Sequence, residues 1–302
     1  MNKSNVIVRI KGGLGNQMFQ YAFGRKIAYQ TNKKLFIDIS FYKNCINRKF
    51  ELDNFCTIGS IAEDIDTYRL QLKGVFPRLL PSFTYRLKNI LKRRHVLFWE
   101  EKENCPDHIL HRWQKDIYLD GYWQGTSYFK SIEHLLRKEF QLAQPLTSES
   151  QEIKDKILSL PCPVSIHIRR GDYAKNANIL SVHGLCSIDY YMNAIRLVQE
   201  HSSKTTFFLF SDDPGWVDKF IKPKIPNSIN VSALYANRPN YEDMLLMSYC
   251  KHHIIANSTF SWWGAWLSSP SVNKLTIAPK RWFATQNPID ISSLIPNHWV
   301  II

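Results

Sequence analysis

The densest group of side chains able to do chemistry is the block from His167 to Tyr173, which reads His-Ile-Arg-Arg-Gly-Asp-Tyr. It ends a β-branched run that we predict to be a strand, so His167 and Arg169, two positions apart, share one side of it. Guanidinium groups bind phosphate oxygens in pairs, and phosphates bind at the carboxyl ends of strands in α/β proteins. The block therefore predicts an anion site, whereas a plain pair between Arg170 and Asp172 would account for only part of it.

A second block, Asn257 to Trp266, follows a predicted strand and opens a predicted helix. The hydroxyl groups of Ser258 and Thr259, with the N–H groups of the first helical turn, could hold an anion at the positive end of the helix dipole. The alternative is an ordinary helix cap followed by aromatic core packing. We expect core packing for the three tryptophans and leave both interpretations open for Ser258 and Thr259.

Two neighbouring acids, Asp212 and Asp213, end another predicted strand. A carboxylate at such a strand end could accept hydrogen bonds from a nucleobase or a ribose. The pair is therefore a candidate for nucleotide binding.

No combination of residues predicts a metal site. Asp64 and Asp66 form an Asp-x-Asp pair of the kind that metal-dependent sugar transferases use, but they lie in a polar helical stretch rather than at a strand end. His252 and His253 point to opposite faces of a predicted strand, so they cannot bind one ion. The six cysteines are scattered without short spacings, which is typical of reduced thiols rather than of a zinc or disulfide framework.

A glycine-rich turn from Lys11 to Gln17 lies between a predicted strand and a predicted helix. Glycines there allow positive φ angles and let backbone N–H groups approach an anion. A dinucleotide site would need a third glycine where Met18 stands, although Asp38 occupies the place of a ribose-binding acid. The NAD interpretation is therefore weak, and a merely tight turn is the stronger alternative.

The elements that must position these blocks are strands alternating with helices. In the first part, a strand over 6–10, a helix from about 18 to 30 and a strand over 35–38 form one β-α-β unit, and the region 60–115 gives no clear pattern. In the second part, we predict strands over 164–169, 206–211, 229–233, 252–256 and 275–278, with helices over 188–201, 214–221, 241–250 and 260–268. This alternation predicts parallel sheets covered by helices on both faces, with a boundary near 145–162.

Length, composition and charge limit the class of protein. The 302 residues suffice for two domains, and 44% hydrophobic with 22% charged residues is typical of a globular chain rather than a disordered or collagen-like one. The apolar run near the N-terminus is short and no stretch approaches ~18 apolar residues, so we expect a cytoplasmic protein without a signal peptide or a transmembrane helix. The net charge of +13 leaves phosphorylated ligands, anionic membrane and nucleic acid open as partners.

Together the blocks resemble the bacterial α-1,2-fucosyltransferases of glycosyltransferase family 11. The resemblance rests on Gly12–Tyr21, His167–Tyr173 and Asn257–Leu267, and it runs in order over nearly the whole chain, with further matches at Gly121–Gln124, Phe210–Asp213 and His252–Ala256. It implies an α/β fold of the GT-B-like class, in which two Rossmann-type lobes face a donor/acceptor cleft. We assign residues 1–155 to an N-terminal, acceptor-side lobe and residues 156–302 to a C-terminal lobe that binds a GDP-sugar.

The resemblance also implies a donor site. Within it, Arg169 would hold the β-phosphate, His167 would lie beside the nucleotide, and Asp212 or Asp213 would contact guanine or ribose. Asn16 would reach the donor from the other lobe. The full set of implied donor-binding residues, of which the last three would surround the pyrophosphate, is Asn16, His167, Arg169, Arg170, Asp212, Asp213, Asn257, Ser258, Thr259 and Phe260.

The implied reaction inverts the sugar carbon without an obligatory metal or other cofactor. Negative charge grows on the leaving diphosphate, and Arg169 with helix N–H groups would stabilise that charge in place of a metal. Asp172 is the candidate base for the attacking hydroxyl, although a base from the first lobe, or none, is also open. Arg169 and Asp172 are thus the catalytic candidates.

The expected activity is transfer of L-fucose from GDP-β-L-fucose to the 2-hydroxyl of a terminal galactose. The expected acceptor is a galactose-terminated oligosaccharide or lipid-linked glycan, as in O-antigen biosynthesis. A transferase with a different nucleotide sugar is the alternative, and a nucleic-acid-binding protein is a third, motivated by the charge alone.

The charge is concentrated in one segment. Between Thr67 and Trp99 there are eight basic side chains and no acidic one, and apolar residues share one helical face. This basic amphipathic segment, residues 67–99, predicts either peripheral contact with the anionic inner face of the cytoplasmic membrane or a solvated helix on the first lobe. In neither case is nucleic acid required.

Overall fold

The computed structural model describes residues 4–62, 96–100, 116–234, 238–284 and 291–302. The chain divides into two compact units, Met1–Gln144 and Pro145–Ile302. The division falls before the boundary placed at 155/156 from the sequence, because the helix Ser148–Ser159 belongs to the second unit. Thr147, which caps that helix, donates its hydroxyl to a carboxylate oxygen of Glu242 at 2.6 Å.

The first unit is built on a parallel sheet. Its strands are β1 (Asn5–Arg9), β2 (Lys34–Asp38), β3 (Ser60–Ile61), β4 (Val96–Glu100) and β5 (Asp116–Asp120), in the order β3-β2-β1-β5-β4. The α-helices in the described part of this unit are α1 (Leu14–Thr31) and α2 (Glu133–Glu139), with 3₁₀ turns at Ser40–Asn44, Leu52–Asn54, Thr126–Tyr128 and Lys130–Ile132. Strands β1 and β5 are parallel neighbours in this sheet, so their carboxyl ends lie side by side.

Helix α1 connects β1 to β2 and is buried along most of its length. At Gly24 it lies so close to β1 that a Cβ atom would stand 2.8 Å from Cβ of Val8. The helix ends at Asn32, whose φ of 54° is the left-handed conformation that closes helix C-termini. Gly24 therefore allows α1 to pack directly against β1.

The described residues of the second unit form a six-stranded parallel sheet. Its strands are β6 (Cys162–Ile168), β7 (Thr205–Ser211), β8 (Ser228–Asn230), β9 (His252–Ile254), β10 (Thr276–Ala278) and β11 (Val300–Ile301), in the order β11-β10-β9-β6-β7-β8. Its helices are α3 (Ser148–Ser159), α4 (Gly171–Lys175), α5 (Ala177–His183), α6 (Ile188–His201), α7 (Pro214–Phe220), α8 (Val231–Leu234), α9 (Asn240–Ser248), α10 (Thr259–Leu267) and α11 (Ile291–Leu294), with a 3₁₀ turn at Lys222–Lys224. This is the strand order of the doubly wound nucleotide-binding fold, and its direction reverses between β6 and β9.

The aromatic residues of α10 form part of the core. Trp262 and Trp263 are fully buried, and the indole N–H of Trp262 donates to the carbonyl of Leu294 at 2.9 Å. Trp266 lies against both rings, with centroids 6.3 and 5.1 Å away. The expectation that the three tryptophans pack in the core is confirmed.

Several sequence predictions differ from the structure in detail. Helix α1 starts at Leu14 rather than near 18, and the strand predicted over 229–233 ends at Asn230, where α8 follows. Strand β11 was not predicted. Residues 67–95 of the basic amphipathic segment, and the pair at 64 and 66, lie outside the described residues. Among the helices of the described ranges, none combines the length and the apolar character needed to cross a bilayer.

Candidate functional site

The predicted site residues of the second unit converge on one edge of its sheet. Strands β6 and β9 are neighbours at the switch point, and β7 lies on the other side of β6. His167 lies on β6 and Arg169 directly follows it, Asp212 follows β7, and Ser258 comes four residues after the end of β9. Ligands of such sheets bind outside the carboxyl ends of the strands at this point.

Arg169 is held by a carboxylate across the strand ends. Its Nη1 lies 2.9 Å from Oδ2 of Asp212, and the backbone N–H of Arg170 donates to Oδ1 of the same carboxylate at 2.8 Å. Both side chains keep some exposure, 19% for Arg169 and 26% for Asp212. Asp212 thus fixes the Nη1 side of the guanidinium, and the rest of the group stays accessible to a ligand.

Gly171 makes this arrangement possible. A Cβ atom at this position would stand 2.4 Å from Oδ2 and 2.8 Å from Cγ of Asp212. Real Cβ atoms essentially never approach so closely. The glycine of the block therefore allows Asp212 to lie beside the first turn of α4.

Asp213 and Ser211 stabilise the turn that follows β7. Oδ1 of Asp213 accepts the N–H of Trp216 at 3.2 Å and caps α7, while its own N–H donates to Oγ of Ser211. Its Oδ2 lies 3.7 Å from Nε of Arg170, whose guanidinium stacks on the Trp216 ring at 3.9 Å. The second oxygen of Asp213 faces Arg170, and the Asp213 side chain is 35% exposed compared with 26% for Asp212. The carboxylate of Asp213 is therefore the more accessible of the two to a ligand.

His167 is a buried neutral imidazole. Burial lowers the pKa of its side chain to about 4, and the nearby Asp212 carboxylate offsets this only in part. Its ring lies 5.5 Å from that of Phe260, and its Nδ1 is buried without a hydrogen-bond partner among the described residues. At neutral pH the ring therefore offers one N–H donor and one acceptor rather than a charge.

The start of α10 presents its first turn at the same edge. Ser258 caps the helix by accepting the N–H of Phe260 at 3.3 Å, and it is only 7% exposed. Thr259 and Phe260 are half-buried. The positive end of this nine-residue helix thus lies beside β6, as an anion site requires.

The side chain of Asn257 ties segments of the second unit together, and the donor contact that the resemblance implies for it stays a prediction. Its side-chain amide donates to the carbonyls of His183 at 2.8 Å and of Trp282 at 3.2 Å, and its Oδ1 accepts from the Cys186 thiol. The residue is 2% exposed. It therefore ties the segments that follow α5 and β10 to the end of β9.

The block from His167 to Tyr173 also contains Asp172 and Tyr173. The side chain of Asp172, the candidate base, lies outside the described residues, so its role stays a prediction. Tyr173, for which no role was predicted, places its ring centroid 5.2 Å from the Arg169 guanidinium.

The first unit carries a polar cluster at the carboxyl ends of β1 and β5. The Asp120 carboxylate accepts hydrogen bonds from Nζ of Lys11 at 2.7 Å and from Nη1 of Arg9 at 2.9 Å. Burial alone would raise the pKa of Asp120, but these two cations lower it below its ordinary value. Close by in the chain, the Gln124 amide donates to Oδ1 of Asn16 at 3.0 Å, so Asn16 is oriented by the strand end of β5.

The NAD interpretation of the glycine-rich turn does not fit the geometry. Asp38 is fully buried and accepts the hydroxyl of Tyr118 at 2.5 Å and the N–H of Ser40 at 2.8 Å. It is therefore occupied within the core of the first unit. Met18, at the third glycine position, is fully buried as well.

The chain is similar over its full length to known glycosyltransferases. The model of the family described as glycosyl transferase family 11 matches residues 5–302. An alpha-1,2-colitosyltransferase of Escherichia coli is 35% identical over 302 residues, covering 99% of both chains. The O-antigen biosynthesis glycosyltransferase WbnK of Escherichia coli is 32% identical, covering 96% of this chain and 98% of that one. A galactoside 2-alpha-L-fucosyltransferase of Mus musculus, Sec1, is 23% identical over 86% of this chain and 64% of its own length.

Two solved structures share the fold. The fucosyltransferase NodZ from Bradyrhizobium superimposes with a TM-score of 0.52 at 18% identity, covering 89% of this chain and 94% of that one. A variant of Arabidopsis thaliana FUT1 in complex with GDP gives a TM-score of 0.55 at 11% identity, covering 90% and 72%. With the two parallel sheets described above, this likeness confirms the GT-B-like α/β class.

Proposed function

Because the chain belongs to glycosyl transferase family 11 and is a glycosyltransferase, we propose that it transfers L-fucose from GDP-β-L-fucose to the 2-hydroxyl of a terminal galactose. The observation that carries the proposal is the convergence of Arg169 and the first turn of α10 at the switch point of the second sheet. A guanidinium and the positive end of a helix, at the place where a Rossmann-type sheet binds its ligand, favour a diphosphate donor.

The proposed reaction breaks the bond between the fucose C1 and the diphosphate oxygen. The acceptor hydroxyl oxygen attacks C1 from the opposite face, so the anomeric centre inverts and GDP leaves with the bonding electron pair. Arg169, already oriented by Asp212, stabilises the charge that grows on the β-phosphate. The N–H groups at the start of α10 stabilise the same charge, so we propose that no metal is obligatory.

The other site residues have supporting roles in this proposal. His167 lies beside the nucleotide as a neutral hydrogen-bonding group, and Phe260 packs on its ring. Asp213, with one oxygen directed toward Arg170, is the better candidate of the two acids for a contact with guanine or ribose. Asp172 is proposed to accept the proton of the acceptor hydroxyl, and Asn16 to meet the donor from the first unit.

A second donor is favoured by one specific observation, the 35% identity to an alpha-1,2-colitosyltransferase. Colitose is fucose without its 3-hydroxyl, so one hydrogen-bonding group of the donor separates the two activities. A site that hydrogen-bonds that hydroxyl rejects the deoxy sugar strongly, whereas an apolar pocket discriminates weakly. Colitosyl transfer from GDP-colitose is therefore the alternative proposal.

We further propose a galactose-terminated, lipid-linked glycan as the acceptor, supported by the relative WbnK, whose name places it in O-antigen biosynthesis. Such an acceptor would bring the protein to the inner face of the cytoplasmic membrane. The nucleic-acid alternative is not proposed, since membership in a glycosyltransferase family accounts for an anionic ligand.

One experiment tests the activity and the donor together. The purified protein is incubated with a panel of β-galactosides and with GDP-fucose, GDP-colitose, GDP-mannose or UDP-galactose, and product linkages are assigned by NMR. We expect α-1,2-linked fucose on galactose and the highest kcat/KM with GDP-fucose. Preference for GDP-colitose by tenfold or more would replace the proposal by its alternative, and transfer from UDP-galactose alone would contradict both.

A further inference from the structure

Three aromatic rings form a column beside the predicted diphosphate site. The rings of Tyr173 and His183 stack with centroids 4.7 Å apart and planes 16° apart, and the Phe283 ring lies 5.9 Å from that of His183. All three residues are half-buried. We call this group the ring column; its members belong to three separate segments, α4, α5 and the loop that follows β10.

One end of the ring column meets the phosphate-binding candidate. The guanidinium carbon of Arg169 lies 5.2 Å from the centre of the Tyr173 ring, within the range of a cation–π interaction. Nη1 of the same guanidinium binds Asp212 at 2.9 Å. Arg169 is therefore restrained by a ring as well as by a carboxylate, and fewer rotamers are open to it.

The ring column is fixed to the rest of the second unit by hydrogen bonds to its backbone. The carbonyl of His183 accepts the amide of Asn257, which also binds the carbonyl of Trp282 next to Phe283. The N–H of Ala284 donates to the carbonyl of Val182 at 2.8 Å. The segments that carry His183 and Phe283 are thus held against the end of β9 and against one another.

We propose that the ring column is a positioning device for Arg169, and that Tyr173 and His183 are positioning residues of the transfer reaction. The inference rests on the proposed function, in which Arg169 stabilises the leaving diphosphate. A guanidinium that is aimed before the donor arrives need not be reorganised as charge develops, and this preorganisation lowers the barrier of the chemical step. Removal of the column should therefore reduce kcat more than it reduces donor affinity.

The test compares variants that remove a ring with variants that keep one. Y173L and H183A each remove the stack, and we expect kcat to fall about tenfold while KM for the donor changes by less than about threefold. A loss of this size corresponds to about 1.4 kcal/mol, within the range of cation–π interactions. Y173F and H183F keep an aromatic ring and should recover most of kcat.

A matched control comes from a second cation–π pair of the same unit. Nζ of Lys154, on α3, lies 4.8 Å from the centre of the half-buried ring of Tyr249, which caps α9 and precedes the amino end of β9. Y249L removes a tyrosine ring under a cation in the same way, and we expect wild-type kcat from it. Thermal unfolding of every variant separates loss of fold from loss of positioning.

The outcomes for the ring column and for the activity are distinguishable. If the wild-type protein transfers no sugar from any GDP-sugar, the proposed function fails. If the wild type is active and folded Y173L and H183A keep kcat within twofold, the ring column has no positioning role. Equal losses in Y173F and Y173L would also overturn the inference, because the hydroxyl rather than the ring would then matter.

Discussion

Substitution of Gly171 by alanine isolates the alignment of Arg169 from its charge. The added Cβ would stand 2.4 Å from Oδ2 of Asp212, whereas ordinary contacts begin at 3.4 Å. The carboxylate must therefore move by about 1 Å. That shift lengthens both of its hydrogen bonds, the 2.8 Å bond from the Arg170 N–H and the 2.9 Å bond from Arg169.

The consequences for stability and for rate are of different size. The two bonds are partly exposed, so their loss should lower the free energy of unfolding by only about 1–2 kcal/mol, a minor part of a typical total. A misplacement of about 1 Å in a catalytic constellation costs roughly a hundredfold in rate. We therefore expect G171A to be folded and to lose about two orders of magnitude in kcat.

The assay is steady-state transfer at saturating donor and acceptor, with urea unfolding of the same preparations. Gly215, on the exposed first turn of α7, supplies the matched control, because a Cβ there would have no heavy atom within 4 Å outside its own chain neighbours and the helix backbone. G215A should keep wild-type rate and stability. A G171A rate within threefold of wild type would refute the reasoning.

A double-mutant cycle identifies the cause of the loss. If the collision with Asp212 is responsible, G171A adds little to D212A, because the atoms it would strike are gone. Additive losses in the double variant would mean that Gly171 acts in another way.

Three further predictions concern pH, a buried ion pair and metal. Burial holds the pKa of His167 at about 4 and that of His253 well below its ordinary value, so the unfolded chain binds more protons than the folded one as the pH falls below about 6.5. The free energy of unfolding, measured in urea, should therefore be highest above pH 6.5 and decline by up to about 1.4 kcal/mol per pH unit for each histidine as the pH falls. A flat profile from pH 7 to 5 would contradict this prediction. The Glu139 carboxylate accepts hydrogen bonds from the Tyr21 hydroxyl at 2.7 Å and from Nε of Arg25 at 3.0 Å. E139A should therefore lower the free energy of unfolding by about 2–4 kcal/mol, because it leaves a buried cation without its partner. A loss under about 0.5 kcal/mol in urea titration would be inconsistent with this pairing. Transfer in excess EDTA should equal transfer with Mg²⁺, and a loss of more than tenfold that Mg²⁺ restores would show that a metal is needed.

Much of the second unit was predictable because its signals are local. β-Branched runs ending in polar blocks marked strands β6, β7 and β9, and the helix over 188–201 was predicted with its observed bounds. Strand β11 has only two residues and depends on pairing with β10, so no local pattern identifies it. Residues 231–234 begin with the β-branched Val231, which favours a strand, but they form a helical turn after β8.

Partner identities within the site could not be read from the sequence. Asp212 binds Arg169, 43 positions earlier in the chain, and the amide of Asn257 binds carbonyls on two distant segments. The resemblance implied that both residues contact the donor. Only the folded arrangement shows that one orients an arginine and the other fixes loops.

The first unit was less predictable. Strands β4 and β5 lie beside a region of mixed helical patterns and prolines, and the cluster of Lys11 and Asp120 forms only when β1 and β5 pair. The start of α1 was placed too late because its first residues belong to the glycine-rich turn. Glycine is typical of turns, yet here Gly13 caps α1 and Gly15 lies in its first turn.

The measurement closest to the central claim is calorimetric titration of GDP and GMP into wild-type protein and R169A. If Arg169 binds the β-phosphate, the wild type prefers GDP over GMP, and R169A loses at least tenfold in GDP affinity, about 1.4 kcal/mol, with little change for GMP. R196A, which removes an exposed arginine from α6, serves as the control and should keep the wild-type preference. An R169A variant that still prefers GDP as strongly as the wild type would contradict the assignment of the donor site.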